Sequence, residues 1–137
     1  MNNKSYLIDT CGWIEWFMDC ILAEQFTPYF QQLPNIIVPT VLQYELYKWV
    51  CRERDIDTAQ ALIELTKQGK LVVLDTDLAL LAAKLATQYQ LSVADALIYA
   101  TAQQEEVERI TSDNHFSDLP NVCYFPKSWI PSNVCSP

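Results

Sequence analysis

The stretch Ser5-Tyr6-Leu7-Ile8-Asp9-Thr10-Cys11 decides how this chain is read. Tyr6, Leu7 and Ile8 form a short apolar run, which suits a buried strand. Asp9 cuts the run at once, and helical spacing follows from Trp13 to Asp19. An acidic side chain at the end of an apolar strand, with Thr10 beside it, points to chemistry. In open α/β sheets ligands bind outside the carboxyl ends of the strands. The structural alternative is that Asp9 only caps the helix after it.

Working outward, the same alternation of short apolar runs with longer amphipathic ones repeats along the chain. Asn35-Ile36-Ile37-Val38 reads as a second strand closed by Pro39, Lys70 to Leu74 as a third, Arg109 to Ser112 as a fourth and Val122 to Phe125 as a fifth. Helices are predicted over Ala23 to Gln32, stopped by Pro34, and from an N-cap at Thr40 through Leu42, Glu45, Leu46 and Trp49. A further helix starts at Asp55 or Asp57, buries Ala61, Leu62 and Leu65, and stops at Gly69. Asp77 reads as the cap of a helix bearing Leu80, Leu81, Leu85 and Ala86, with Asp75 in the loop before it. Ser92 caps the last helix, with Asp95 at the capping-box position. This pattern predicts an α/β fold with a mainly parallel sheet of four to five strands.

The 137 residues fit one domain, with residues 126–137 expected to wrap its surface as a tail. Half of the chain is hydrophobic and 19% is charged, which suits a packed core and excludes a disordered chain. No apolar run reaches the ~18 residues of a membrane span. The opening Met1-Asn2-Asn3-Lys4 leads into an apolar stretch too short for a signal peptide, with no small-residue cleavage site, so a cytoplasmic location is expected. The five cysteines form no Cys-x-x-Cys and are expected to be reduced thiols. Cys11 as a nucleophile would need His115, the sole histidine, as its base.

The net charge of −8 is unfavourable for a nucleic-acid binder unless the acidity belongs partly to a metal site. The candidates are Asp9, Glu45, Asp95 and Asp113. Asp9 and Asp113 follow strands, while Glu45 and Asp95 lie near the starts of helices, so one sheet edge can gather all of them. Ionised carboxylates gathered in one place repel unless a cation or protons intervene. Such oxygen-rich sites select hard ions such as Mg²⁺ or Mn²⁺, which suit phosphodiester cleavage. Alternatives stay open for each residue. Glu45 could be solvated beside Lys48, Asp95 could complete the cap with Ser92, and Asp113 could serve the turn Ser112-Asp113-Asn114. Asp118 reads as a turn residue or as an extra shell to the metal, and His115 as a general base that a metal mechanism does not require.

Together the runs Tyr6 to Cys11, Val38-Pro39-Thr40 with Glu45, Leu91 to Ala100, and Thr111 to Phe116 resemble the PIN-domain ribonucleases, most closely the VapC-type toxins of toxin–antitoxin pairs. The most specific part is Ser92 to Ala100. The resemblance implies a PIN-like three-layer sandwich, its central sheet flanked by helices, and Mg²⁺- or Mn²⁺-dependent RNA cleavage by in-line attack of a metal-activated water. Asp9, Glu45, Asp95 and Asp113 fall on the family's acidic positions, and Thr10 and Ser112 on polar supporting ones. It also implies an antitoxin partner and a homodimer.

Gly12 is unusual after the first motif and is expected to loosen the start of its helix. Lys48 and Arg52 share a helix face and are the best candidates for contacting RNA, with salt bridging to Glu53 or Asp55 as the alternative. Trp13, Trp16, Phe17, Tyr44, Tyr47 and Trp49 are too many for one buried face, so part of the set would be exposed as an anchor for a protein partner. A catalytically silent PIN-fold binding module is the competing reading. A phosphatase with an Asp nucleophile is disfavoured, because Cys11 stands where a second aspartate is expected.

Overall fold

The computed structural model describes residues 4–126. Its core is a five-stranded sheet of β1 (Tyr6–Ile8), β2 (Ile36–Pro39), β3 (Lys70–Val72), β4 (Glu108–Thr111) and β5 (Val122–Tyr124). The order is β3-β2-β1-β4-β5 and every pairing is parallel. Parallel neighbours need crossover connections, and helices supply them. These are α1 (Thr10–Phe17), α2 (Ala23–Phe26), α3 (Thr40–Glu53), α4 (Ile56–Thr66), α5 (Thr76–Tyr89) and α6 (Val93–Gln104). The result is the expected α/β sandwich.

The central strands are buried on both faces, which is why they read as unbroken apolar runs. All of Ile36, Ile37, Val38 and Pro39 are buried, whereas edge strand β3 exposes Lys70 and Leu71. One core cluster joins β1 and β2 to α1, α3 and α4 through Leu7, Trp13, Leu42, Leu46 and Leu62. A second joins α5 to α6 through Leu78, Ala82, Leu85 and Tyr99. Trp13 is fully buried, and the Trp16 and Phe30 rings stack beside it at 4.1 Å. Tyr44 and Tyr47 are the exposed members of the aromatic set.

Several boundaries differ from the sequence reading for local reasons. The segment after Ala23 is α-helical only to Phe26; a 3-10 turn over Thr27–Phe30 follows, with Pro28 near its start. Thr40 is the first residue of α3 rather than its cap, and Pro39 holds the cap position. Asp75, not Asp77, caps α5, because its Oδ1 accepts from Leu78 N at 2.9 Å. The buried faces are turned by a residue or two. Ala59, Leu62 and Thr66 face inward on α4, and Leu78, Ala82 and Leu85 on α5, leaving Ala61 and Leu80 exposed. Cys11, Cys51 and Cys123 are free, but Cys20 is disulfide-bonded, contrary to the expectation of reduced thiols throughout. The expected tail lies outside the described residues beyond Pro126, as does the side chain of His115. Among the described residues no helix is long and apolar enough to cross a membrane.

Gly12 has a packing role that the sequence does not reveal. A Cβ there would stand 2.5 Å from Ile8 Cγ2 and 2.8 Å from Phe26 Cε1. The absent side chain lets α1 lie close against β1 and α2, so glycine fixes the start of this helix instead of loosening it. Gly12→Ala should gain about 1 kcal/mol of helix propensity and lose more to overpacking, about 1–3 kcal/mol. Urea unfolding is expected to show a lowered midpoint; an unchanged or raised one would mean that Ile8 and Phe26 yield freely.

Candidate active site

The strand order places a switch point between β1 and β4, where the chain turns to opposite sides of the sheet. Crevices form at the carboxyl ends of such strands. Asp9 follows β1, and its N–H donates to Ile110 O of β4 at 3.1 Å. Asp113 lies just past β4, where its N–H donates to Thr111 Oγ1 at 2.9 Å. Glu45 enters from the second turn of α3 and Asp95 from the first turn of α6. All four side chains line one cavity of about 330 Å³ at this pole.

Asp9 is almost fully buried, at 3% exposure. It does cap α1, its Oδ1 accepting from Gly12 N at 3.3 Å and from the Cys11 thiol at 2.8 Å. Its Oδ2 accepts from Arg109 Nη2 at 3.2 Å. The capping and site readings are therefore compatible: one oxygen serves the helix while the carboxylate still lines the cavity. Glu45 is held by Thr10, whose hydroxyl donates to Oε1 at 2.7 Å. Ser92 Oγ accepts from Asp95 N at 3.3 Å, and Asp95 also lines the cavity.

The electrostatics record this convergence. Burial holds the Glu45 carboxyl above the usual carboxylate range, the Thr10 hydrogen bond opposes this, and the negative charges of Asp95 and Asp9 add to it. Burial likewise raises Asp95, with Arg109 and the Ser92 hydrogen bond opposing and Asp113 and Asp9 adding. Residues scattered over a hundred positions of sequence thus sense one another's charge. Both half-buried acids hold a proton more tightly than a free carboxylate does, first because they are buried and then because like charges share the cavity.

Arg109 is the residue that sequence reasoning missed. It is legible there only as part of a strand, yet its side chain is 2% exposed, lines the cavity and pairs with Asp9. Lys48 and Arg52 of α3 also line the cavity and are exposed at its mouth. Arg52 bridges Glu53 at 2.8 Å, so the salt-bridge alternative holds for it, and Lys48 lies 5.7 Å from the Tyr44 ring centre. Ser112 donates its hydroxyl to Cys11 Sγ at 3.1 Å, and Cys11 in turn donates to Asp9 Oδ1. Asp118 is exposed and does not line the cavity. Burial first, and then the charge of Asp9, push the Cys11 thiol up to about 12. A thiol so strongly held in its neutral form is a poor nucleophile.

The donor chemistry fits a hard divalent ion, since the cavity gathers carboxylate oxygens from four separate segments. Among the described residues, however, no three acids, thiols or imidazoles form a ready-made cage for a metal. Asp9, Glu45, Asp95 and Asp113 would have to draw inward around an ion.

Solved structures with this fold are numerous. A toxin–antitoxin complex from Klebsiella pneumoniae contains a chain 23% identical, matched over 89% of this chain and 99% of its own, with a TM-score of 0.76. VapBC2 from Rickettsia felis, bound to a DNA fragment from its promoter, matches at 15% identity over 88% and 97% of the two chains, with a TM-score of 0.70. VapC20 from Mycobacterium tuberculosis, described as a Sarcin-Ricin loop cleaving toxin, matches at 14% identity over 90% and 92%, with a TM-score of 0.67. No curated protein sequence matches the chain. These structural likenesses carry the fold alone, but the sequence model of the PIN domain matches residues 6–122, a span running from β1 into β5 and enclosing all four cavity acids. The chain therefore belongs to the PIN-domain family.

Proposed function

We propose that this protein is a metal-dependent RNA endonuclease and the toxin of a toxin–antitoxin pair. The observation that carries the reading is the meeting of Asp9, Glu45, Asp95 and Asp113 in one cavity at the switch point of a PIN sheet. Asp9, Glu45, Asp95 and Asp113 would hold the ion, Mg²⁺ or Mn²⁺. When bound, it supplies Lewis acidity to the phosphodiester and lowers the pKa of the attacking water.

The chain's own residues do the rest. Thr10 fixes the Glu45 carboxyl, and the α1 cap fixes Asp9. Lys48 at the cavity mouth offers positive charge to the RNA backbone, and Arg52 beside it would do so by giving up its bridge to Glu53. The exposed Tyr44 and Tyr47 beside them supply an apolar surface for an antitoxin. Complexes with antitoxins among the structural neighbours support such a partner. A homodimer and a cytoplasmic location complete the reading. The alternative, a catalytically silent binding module, draws on the buried Arg109–Asp9 pair, which occupies part of the would-be metal site.

Metal removal tests the proposal. Purified protein should cleave RNA, lose about a hundredfold or more of its rate in chelator, and regain it with Mg²⁺ or Mn²⁺. Undiminished cleavage in chelator would end the metal mechanism. No cleavage with any divalent ion, together with tight binding of a partner protein, would establish the silent module.

A further inference from the structure

Among the described residues, Arg109 alone of the lysines and arginines is buried. It leaves β4 within a strand whose neighbours, Ile110 and Thr111, are also buried. Its Nη2 reaches Asp9 Oδ2 at 3.2 Å, and its Nη1 donates to the Asp95 carbonyl oxygen at 3.3 Å. The guanidinium lies 3.8 Å from the Phe116 ring centre. Its Nε has no acceptor among the described residues. The side chain is thus incompletely satisfied but held on three sides.

Stability alone is a weak reason for this arrangement. A buried ion pair rarely outdoes apolar side chains of the same volume, because the desolvation penalty offsets the attraction. The charge also acts beyond its partner, favouring the ionised forms of Glu45 and Asp95. Asp9 is nearly saturated as an acceptor. Its Oδ1 serves Gly12 N and the Cys11 thiol, and its Oδ2 serves Arg109. A carboxylate has room for about four such contacts. An incoming ion must share Oδ2 with the guanidinium or displace it.

We propose that Arg109 is the resident counter-ion of the acidic cavity, neutralising the Asp9 carboxylate in the metal-free protein and competing with a divalent ion for it. This rests on the metal-dependent reading above. It makes the metal site weaker than its acidic residues would otherwise provide. Arg109 is a positioning residue and touches no reacting atom.

The test is Mn²⁺ binding by calorimetry or electron paramagnetic resonance on the full chain, for wild type, Arg109→Met and Arg109→Lys. Removing one positive charge beside Asp9 should tighten Mn²⁺ binding about tenfold or more. Arg109→Met should also gain a larger rise in melting temperature on Mn²⁺ addition than wild type. Arg109→Lys keeps the charge and should bind Mn²⁺ like wild type. A purely structural role would weaken Mn²⁺ binding in Arg109→Met or leave it unchanged, and either result in a folded variant overturns the proposal. If Arg109→Met unfolds without metal, refolding by Mn²⁺ supports the proposal and failure to refold at saturating Mn²⁺ overturns it. Binding by wild type with no gain in Arg109→Met sinks this inference alone. Absence of binding in all three chains sinks the metal reading beneath it.

Discussion

Asp9→Asn is expected to abolish RNA cleavage and to destabilise the protein in the same step. The activity loss should be about a thousandfold or more, because this carboxylate stands at the switch point and is the most buried of the four acids. The stability loss comes from Arg109. An amide in place of Asp9 can still accept from Gly12 N, so the helix cap survives. The guanidinium, however, is left buried without a negative partner, and removing one member of such a pair costs about 3–5 kcal/mol. RNA cleavage and urea unfolding on the same preparation check both effects. Wild-type activity would remove Asp9 from the site, and wild-type stability would mean that Arg109 finds water or another acceptor.

Glu45→Gln should separate the two effects. Cleavage is expected to fall about a hundredfold or more through loss of a metal-holding oxygen. Metal-free stability should not fall, because glutamine keeps an acceptor for the Thr10 hydroxyl and removes a charge from an acidic cavity. The pH profile gives a second readout. The folded-state pKa of Glu45 is raised above its unfolded value of about 4.3. Between those values the folded protein binds more protons than the unfolded chain, so stability is lost as pH rises through the folded value. Asp95 is raised for the same leading reason, its burial, and acts in the same direction. Metal-free wild type should therefore melt at lower temperature near neutrality than in mildly acidic buffer, with a flatter profile for Glu45→Gln. A wild-type slope that is flat or reversed would contradict the burial of these carboxyls in one cavity.

Much of the fold and the site is legible in local sequence. Tyr6-Leu7-Ile8 ending at Asp9 marks both a strand and the sheet edge where Asp9 caps α1 and lines the cavity. Ser92 with Asp95 three residues on fixes the start of α6 through a contact internal to four residues. Features that depend on distant partners are not legible. Arg109 and Asp9 are 100 positions apart, and nothing in Glu108-Arg109-Ile110-Thr111 says that this side chain turns into the cavity. Gly12 is explained only by Ile8 and Phe26 closing on it from two other elements. Asp75 and Asp77 are interchangeable as caps on paper, and the choice falls to the one whose carboxylate meets Leu78 N. The inner faces of α4 and α5 depart from the sequence reading for a similar reason. Apolar residues at 78, 80, 81 and 85 permit two nearby rotations, and packing against α6 selects the one that buries Leu78.

The deciding measurement is an anomalous diffraction map of Mn²⁺-soaked crystals of the wild-type chain. A manganese peak inside the cavity, bound by carboxylate oxygens from at least two of Asp9, Glu45, Asp95 and Asp113, is the result predicted. A cavity that stays free of manganese in crystals of protein that cleaves RNA, or a peak bound by other residues, would contradict it.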